Sequence, residues 1–407
     1  MSQREFRQRL LLMFPILCAA ISCDGAGPSD EQHPTLTSIS AGFDRTCALV
    51  NDRSVYCWGS IGSAARSAAE PPCEGSECYR MRPDTLALGF RARELRLASN
   101  IFGDVMCLIS TGSQLYCSGF LLIGQDGGLL IAAEPQILGG PSISSIRVAS
   151  RHFCGLTPAG DAYCWGDYRG GVRGTGEPLA NEFAEPDLVP NVVDGGLTFT
   201  ELALGLGNSC GLGAAGAAYC WGSEVALGNP DASLTPVEQC GYTVPPHYGN
   251  CSHAPVPVAG GHSFSRIAAG HNHVCGVTSS GAVYCWGANE SGQIGSGDTQ
   301  YAAVPTLVAL PGPAKAISLG ADFSCALLTS GQAFCWGLSV GSGGSGLMVL
   351  LPAAVPGGGA YQAISAGFAH VCALRLSGGV DCWGDNTSGQ LGTGNFESSA
   401  VPVQVQF

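Results

Sequence analysis

Fourteen of the twenty cysteines in this 407-residue chain form seven pairs, and the two members of each pair lie ten positions apart. Six of the pairs are followed by Trp-Gly, which uses every tryptophan in the chain; the second unit has Ser118-Gly119 instead. A unit repeated seven times, at intervals of 47 to 65 residues, constrains the fold more than any other feature. The pairs are Cys47/Cys57, Cys107/Cys117, Cys154/Cys164, Cys210/Cys220, Cys275/Cys285, Cys325/Cys335 and Cys372/Cys382.

Each pair predicts a disulfide across a β-hairpin. In five units a glycine lies six residues after the first cysteine, at the end of a three-residue hairpin loop where positive φ is required. Such a loop places the two cysteines opposite each other on antiparallel strands, close enough to bond. Metal ligation is the alternative, but metal sites usually place cysteines two to four residues apart or add histidine at short spacing.

The N-terminus predicts export. Three arginines within the first nine residues precede an apolar run from Leu10 to Ile21, which is too short to span a bilayer. The segment Ala20-Ile21-Ser22-Cys23 resembles the bacterial lipobox, which implies cleavage before Cys23 and a diacylglycerol on that cysteine. An ordinary signal peptide is the alternative. We therefore expect a lipoprotein-type signal peptide over residues 1–22 and membrane attachment in a bacterial cell envelope, periplasmic or at the surface.

The remaining cysteines agree with this compartment. Cys18 leaves with the signal and Cys23 is acylated, so the mature chain keeps an even number of thiols. Beyond the seven repeat pairs, Cys73/Cys78 and Cys240/Cys251 form local pairs inside two insertions. Nine disulfides without a free thiol indicate an oxidising environment.

Composition favours many short strands and excludes one class of partner. The chain has 60 glycines, 12% charged residues and a single lysine, Lys315. Its formal net charge is −13, whereas binding to a phosphate backbone needs clustered lysine and arginine. We interpret the arginine-rich stretch from Arg80 to Arg96 as a solvated or ion-paired face, and we expect no nucleic-acid partner.

The repeats predict an all-β fold, a seven-bladed β-propeller over residues 36–407, preceded by a flexible tether over residues 23–35. Each unit contains four strand-like segments, and seven small sheets that cannot bury both faces alone are best packed in a ring. A proline-containing segment precedes six units, and another, Pro402 to Val405, follows the last. Counting the proline segment as the first strand of its unit, we expect the disulfides to join the third and fourth strands of each blade. We also expect the C-terminal strand to join the N-terminal blade and close the ring.

The last unit reads A-G-F-A-H-V-C-A-L at residues 366–374 and C-W-G-D-N-T-S-G-Q-L-G at residues 382–392. These motifs resemble the repeat of the regulator-of-chromosome-condensation (RCC1) family, and the cysteines suggest a secreted bacterial type. The resemblance implies a propeller, but members of that family serve in nucleotide exchange, chromatin binding and β-lactamase inhibition. An exchange factor would work among reduced thiols with a basic arm, so exchange-like or enzyme-inhibitor binding is an alternative by analogy only, and we assign no exchange-factor residue.

The sequence shows no catalytic constellation. His152, His273 and His370 occupy one repeat position, two residues before a cysteine, which favours a role in blade packing. His271-Asn272-His273 lacks a nearby carboxylate or third histidine for a metal. There is no Gly-rich phosphate loop followed by lysine, and we assign no catalytic residue, metal or cofactor.

Two long insertions, Ser60 to Arg82 and Asn229 to Ala254, both follow the Trp-Gly position, so they enlarge one face of the ring. We expect the second insertion to add no strand to its blade. The second contains Tyr242, His247 and Tyr248, a mixture typical of recognition loops. Loops without functional consequence are the alternative.

We expect a non-enzymatic, monomeric exported lipoprotein that presents the propeller to a protein or glycan ligand. An exported lyase or glycosidase is the alternative; it would need paired carboxylates in a face cleft, and the acidic residues show no paired pattern.

Overall fold

The computed structural model describes residues 35–60, 79–100, 103–122, 128–137, 140–167, 169–176, 187–231, 238–239, 250–338 and 347–407. The predicted signal peptide, Cys23 and nearly all of the predicted tether therefore lie outside the described residues. In chain order the strands are β1 (Leu36–Ala41), β2 (Arg45–Val50), β3 (Val55–Ser60), β4 (Tyr79–Thr85), β5 (Ala92–Asn100), β6 (Gly103–Ser110), β7 (Leu115–Leu122), β8 (Gly128–Ile137), β9 (Ser145–Val148), β10 (His152–Leu156), β11 (Ala162–Gly166), β12 (Asp187–Val192), β13 (Phe199–Leu204), β14 (Asn208–Gly213), β15 (Ala218–Ser223), β16 (Glu238–Gln239), β17 (Asn250–Pro257), β18 (Phe264–Ala269), β19 (His273–Thr278), β20 (Val283–Gly287), β21 (Ala302–Leu307), β22 (Ala314–Leu319), β23 (Phe323–Leu328), β24 (Ala333–Leu338), β25 (Met348–Ala354), β26 (Tyr361–Ala366), β27 (His370–Arg375), β28 (Val380–Gly384) and β29 (Ser399–Gln404).

These strands form seven antiparallel sheets, which are the blades of a β-propeller and confirm the predicted fold. In order, the blades are β1–β4, β5–β8, β9–β12, β13–β17, β18–β21, β22–β25 and β26–β29. The first strand of every blade lines a central channel, and the proline-containing strand lies at the outer edge of its sheet except in blade four, where β16 pairs with the start of the proline-containing β17. Two short 3-10 turns follow the third strands of blades three and four, at Arg169–Gly171 and Glu224–Ala226. No helix in the described ranges is long and apolar enough to cross a membrane.

The seven cysteine pairs of the repeat are disulfides, as their spacing predicts. The two cysteines of each pair lie directly opposite each other in a hairpin, with Cα atoms 4.0 to 4.2 Å apart. Seven disulfides indicate an oxidising environment. The bonded pairs are Cys47–Cys57, Cys107–Cys117, Cys154–Cys164, Cys210–Cys220, Cys275–Cys285, Cys325–Cys335 and Cys372–Cys382.

The position of these disulfides within the blade corrects one expectation. They join the second and third strands of each blade rather than the third and fourth, because the outermost strand follows the hairpin instead of preceding it. The second cysteine of each pair therefore lies one strand in from the edge, opposite a residue of the outer strand. These partners are Cys57 with Asp84, Cys117 with Gln136, Cys164 with Asn191, Cys220 with Val256, Cys285 with Thr306, Cys335 with Ala353 and Cys382 with Val403.

The hairpin loops adopt the predicted conformation. Gly160 has φ 93°, and the other four glycines at its repeat position also have positive φ. In the two units without glycine, Arg53 and Ser113 adopt φ 70° and 63°. The loop therefore requires positive φ whichever residue occupies its last position.

The Trp-Gly dipeptide forms a bulge in the third strand. In blade one the strand register shifts between Cys57 and Gly59, and the same shift recurs in the other blades. Gly59 has φ 96°, and a Cβ there would lie 2.3 Å from the carbonyl oxygen of Asp44. Only glycine therefore fits beside the turn between β1 and β2.

Each proline-containing strand pairs with the hairpin that comes before it in the chain and belongs to the same blade as that hairpin. This corrects the expected pairing of the C-terminal strand. β29 pairs with β28 in blade seven, with Val403 opposite Cys382, whereas blade one is completed by its own β4. Proline donates no backbone hydrogen bond, so it suits an outermost strand that has only one neighbour. The prolines of the outer strands are Pro83, Pro135, Pro190, Pro257, Pro305, Pro352 and Pro402; Pro186 lies outside the described residues.

Blade seven nevertheless meets blade one without a shared strand. Phe368 N–H donates to Gly42 O at 2.9 Å, and Ala41 N–H donates to Ser365 Oγ at 3.0 Å. Beyond β29, Val405 is buried against Trp58, and the ring of Phe407 lies 6.0 Å from the same indole. The C-terminal residues thus pack on the N-terminal blade while their strand belongs to blade seven.

The hydrophobic core lies between blades rather than within them. One cluster joins Leu212 and Ala218 of blade four to Phe264, Ile267 and Trp286 of blade five. Corresponding clusters occupy the other interfaces, including the one between blades seven and one. Each sheet is therefore stabilised by its neighbours.

Candidate binding face

The strands alternate in direction, so the turns after the first strand and the connections after the third strand lie at one end of the ring. We refer to this end as the insertion-bearing face, because both insertions begin and end there. Its described turns and connections are residues 42–44, 149–151, 205–207, 270–272, 320–322, 367–369, 167, 169–176, 224–231, 288–301 and 385–398.

The predicted recognition residues Tyr242, His247 and Tyr248 lie outside the described residues, as do Cys73, Cys78 and Cys240. Cys251 is described, and it is buried and disulfide-bonded. The contribution of these residues to binding stays a prediction.

The insertion of blade four does add a strand, contrary to expectation. Glu238–Gln239 pairs with Cys251 and Asn250 and forms a fifth strand at the edge of the sheet. Cys251 and Ser252 in turn pair with Ser223 and Gly222. The end of the insertion is therefore part of the blade and is held in place by its strand pairing.

A polar and aromatic patch lies at the base of this insertion. Asn250 Nδ2 donates to Glu224 Oε2 at 3.1 Å. Tyr301, which is 48% exposed, approaches from blade five, and burial followed by the charge of Glu224 raises the pKa of its hydroxyl. Glu224 and Tyr301 come from different blades, so the sequence gives little indication that they lie close together. The one available signal is that both follow the Trp-Gly of their own blade.

A chain of backbone hydrogen bonds surrounds part of the channel mouth. In each of four blades the donor is the residue that follows the first residue of the turn after the first strand, and it donates to the first turn of the next blade around the ring, at 2.9 to 3.3 Å. The bonds are Leu206 N–H to His271 O, His271 N–H to Ala321 O, Ala321 N–H to Phe368 O and Phe368 N–H to Gly42 O. They fix the side chains at these positions around the mouth.

Phe43, the residue after Gly42, forms an aromatic cluster with Phe368 and His271. The rings of Phe43 and Phe368 have centroids 4.4 Å apart, and the ring of His271 lies 5.2 Å from Phe368. Burial lowers the pKa of His271 and raises the pKa of Asp322, and each charge partly opposes the shift of the other. The mouth therefore combines an apolar centre with a half-buried histidine and carboxylate.

The channel below the mouth is a cavity of about 250 Å³. Its wall consists of sheet edges, whose backbone N–H groups need partners. Three serines at one repeat position provide them: Ser40 Oγ accepts from Leu97 N–H, Ser318 Oγ from Ala366 N–H and Ser365 Oγ from Ala41 N–H. These serines bind neighbouring blades together.

Blades two to four carry an ion-pair network in the same wall. Glu94 accepts from Arg96 at 3.0 Å and from Arg147 at 3.3 Å, and Glu201 lies 3.9 Å from Arg147. Burial lowers the pKa of Arg96 to about 10 and raises the pKa of Glu201. Both acids therefore pair with Arg147, which links blades two, three and four.

The three repeat histidines pack between blades. Each is fully buried, and its Nε2 lies 2.7 to 3.0 Å from a hydroxyl of the next blade, which donates to a carbonyl that also accepts a tryptophan N–H. The sets are His152, Ser209, Val172 O and Trp221; His273, Ser324, Gln293 O and Trp336; and His370, Thr46, Gln390 O and Trp58. Nε2 of His273 thus contacts Ser324, and in the described part of the chain no three metal-ligating side chains converge.

A profile of the regulator of chromosome condensation (RCC1) repeat matches residues 280–327 and 377–407, and a second profile of the same repeat matches residues 36–62, 264–293, 314–342 and 361–390. The ultraviolet-B receptor UVR8 of Arabidopsis thaliana is 26% identical over 295 residues, 70% of this chain and 60% of that protein. The E3 ubiquitin-protein ligase HERC2 of Homo sapiens is 27% identical over 313 residues, which span 70% of this chain but only 6% of HERC2.

Two solved structures have a similar fold. Human WBSCR16 superposes with a TM-score of 0.56 at 19% identity, covering 93% of this chain and 84% of its own. Yeast RCC1 (Prp20), crystallised with Kap60, superposes with a TM-score of 0.52 at 19% identity, covering 91% and 75%. At this identity the likeness concerns the fold.

Proposed function

Because profiles of the RCC1 repeat match four of the seven blades, we propose that this chain is a non-enzymatic scaffold whose insertion-bearing face binds a partner protein. The observation that supports this most directly is convergence: both insertions and the Phe43, Phe368 and His271 cluster belong to one end of the ring. Half-buried aromatic side chains contribute much binding energy per residue because they bury large areas with few rotatable bonds. Yeast RCC1 bound to Kap60 shows a propeller of this fold in a protein complex.

The charge of the face favours a basic partner. Its described connections contain Glu224, Asp231, Glu290, Asp298, Asp385 and Glu397. Two of the arginines at this end are engaged within the chain: Arg45, at the start of β2, donates to Ser60 O, and Arg151 pairs with Asp167. Arg169 and Arg173 lie in the connection 169–176. Opposite charge on the partner would accelerate association and orient docking.

We further propose that the protein is exported and held in the cell envelope by an acylated Cys23. The seven disulfides support the oxidising side of a membrane as its location. In the mature protein, alkylation without reductant followed by mass spectrometry should label no cysteine, and the N-terminal peptide should carry a diacylglycerol. Labelling of several cysteines at once would contradict export, while an unmodified Cys23 would contradict only the anchor.

Binding is tested by capture from envelope fractions of the producing cells, with the oxidised full-length protein carrying Cys23→Ala to prevent acylation. The triple variant Tyr242→Ala, His247→Ala, Tyr248→Ala should lose at least nine tenths of the captured partner. Leu376→Ser is the control, because Leu376 is exposed in a hairpin turn on the opposite face. Capture that survives in the triple variant and fails in the control would place the site on the opposite face. Capture sensitive to periodate but not to protease would identify a glycan.

A further inference from the structure

The inner edges of the first strands direct backbone N–H groups into the channel. In six blades a hydrogen bond closes the turn after the first strand, as in Gly42 N–H to Arg45 O and Ala149 N–H to His152 O. Bonded and non-bonded pairs alternate along an antiparallel ladder, so the residue before this bond points its N–H away from the second strand. In blades one to seven these residues, all of which line the channel cavity, are Ala41, Leu97, Val148, Leu204, Ala269, Leu319 and Ala366.

A serine of the preceding blade accepts this N–H at three of the seven positions. Ser40, Ser318 and Ser365 accept from blades two, seven and one, at 2.9 to 3.0 Å. Each serine lies opposite the first cysteine of its blade, a position that blades two to five fill with Arg96, Arg147, Ala203 and Ala268. Neither a guanidinium nor a methyl group can accept a hydrogen bond.

Four backbone N–H groups therefore face the cavity with no side-chain acceptor in the described part of the chain. They belong to blades three to six, on Val148, Leu204, Ala269 and Leu319. Backbone N–H groups away from bulk water need a partner, which here has to come from within the channel. The three serine hydroxyls also keep a proton to donate, since no described residue accepts from them.

The charged side chains around the cavity are also donors. Among its described lining residues, only Arg96 and Arg147 carry a permanent charge, and their side chains are 32% and 26% exposed. The glutamates that pair with them, Glu94 and Glu201, do not line the cavity. Burial, followed by the positive charge of Arg147, lowers the pKa of Arg96 to about 10. In a chain of net charge −13, this cavity is thus lined by positive charge and by no carboxylate.

We propose that the channel cavity binds a small molecule through an oxyanion group, a carboxylate or a phosphate. Arg96 and Arg147 supply the opposite charge, and the four unpaired N–H groups supply hydrogen bonds from the other side of the ring. Backbone N–H and guanidinium groups that converge without a carboxylate are the donors that oxyanions prefer. A volume of about 250 Å³ suits a small ligand, whose body would lie between this ring and Phe368 at the mouth. The site is independent of Tyr242, His247 and Tyr248 and of the partner proposed for the insertion-bearing face.

The test titrates the oxidised full-length protein carrying Cys23→Ala, deuterated and ¹⁵N-labelled, with succinate, inorganic phosphate or putrescine. An oxyanion should shift the amide signals of Val148, Leu204, Ala269 and Leu319. The serine-bonded amides of Ala41, Leu97 and Ala366 are internal controls, because they occupy the same level of the channel and should shift less. Putrescine, a dication of similar length to succinate, should shift none of them.

The two anions distinguish the sources of the oxyanion. A response to succinate alone identifies a carboxylate ligand, and a response to phosphate alone identifies a phosphate ligand. No shift of the four amides with either anion would overturn the proposal. So would an equal shift with putrescine, since the cavity would then not select for negative charge.

A matched pair of variants separates charge from size. Ala268 lines the cavity, and Ala268→Asp places a negative charge there, so it should weaken binding of the responding anion about tenfold or more. Ala268→Asn adds a side chain of the same size without charge and should weaken binding much less. Unchanged affinity in Ala268→Asp would contradict the proposal. The wild-type titration decides the question by itself if that variant does not fold.

Discussion

One backbone conformation recurs at seven residues, the last position of each hairpin loop. Five are glycines, for which positive φ costs nothing, whereas Arg53 and Ser113 adopt the same conformation at a cost of about 1 kcal/mol each. Gly378 has φ 98°, and nothing lies within 4 Å of a Cβ built there, so alanine would meet only the backbone cost. The two exceptions show that the hairpin geometry, and not the residue, determines this position.

Replacing the glycine by alanine in one loop and the arginine by glycine in another should therefore change the free energy of unfolding in opposite directions. Gly378→Ala should destabilise by about 1 kcal/mol. Arg53→Gly should stabilise by a smaller amount, about 0.5 kcal/mol, because glycine also increases the entropy of the unfolded chain. Urea denaturation with the disulfides intact measures both midpoints. A large loss of stability in Arg53→Gly would mean that the arginine side chain stabilises this turn through contacts.

At the scale of elements, the sequence specified the hairpins but not the blades they belong to. Cysteine spacing and turn glycines are local signals, and the structure confirms the seven hairpins and the propeller. The proline strands lie between units, so spacing alone could not show that β29 pairs with β28, or that Cys382 lies on a third strand rather than a fourth. Likewise, the pairing of Glu238–Gln239 and the Tyr301 and Glu224 patch depend on residues from separate segments or blades.

The histidine contacts between blades also make the elements sensitive to acid. Burial lowers the pKa of His152 and His273 to about 3 and that of His370 to about 4, although Asp385 partly opposes the last shift. The unfolded chain therefore takes up protons first as pH falls below 6.5. These contacts stabilise the ring fully above pH 6.5 and lose their contribution as pH falls towards 4.

His370→Asn tests this, because Asn208 naturally holds the equivalent position in blade four. The variant should be less stable at pH 7, since it loses the contact with Thr46. The free energy of unfolding of the variant should fall less steeply than that of the wild type between pH 6 and 4.5. The two slopes should differ by about 1.4 kcal/mol per pH unit, because the variant lacks one proton-binding group. Urea midpoints across that range provide the slope, and an unchanged slope would show that His370 does not carry the acid sensitivity.

At the scale of the whole molecule, the interface between blades seven and one is the only inter-blade junction in the described ring that no connecting segment crosses, since it joins the chain's two ends. It is held by Phe368 N–H to Gly42 O, by the Thr46 and His370 contact, and by Val405 and Phe407 packing on blade one. Separation here opens the ring, whereas separation elsewhere leaves neighbouring blades tethered. The same loss of packing should therefore promote ring opening more at this interface than at any other described interface.

Val405 and Val308 allow that comparison, because each follows an outer strand, donates its N–H to the third strand of its own blade and is buried against the next tryptophan. Val405→Ala and Val308→Ala should each destabilise by about 2 kcal/mol through the cavity left behind. Only Val405→Ala should make blades one and seven the first sites of limited proteolysis, because reclosure there depends on two untethered surfaces. Deleting Val405 to Phe407 should strengthen the effect while preserving the pairing of β28 with β29. Identical cleavage patterns in the two alanine variants would show that the ring opens no more readily between its ends than between blades five and six.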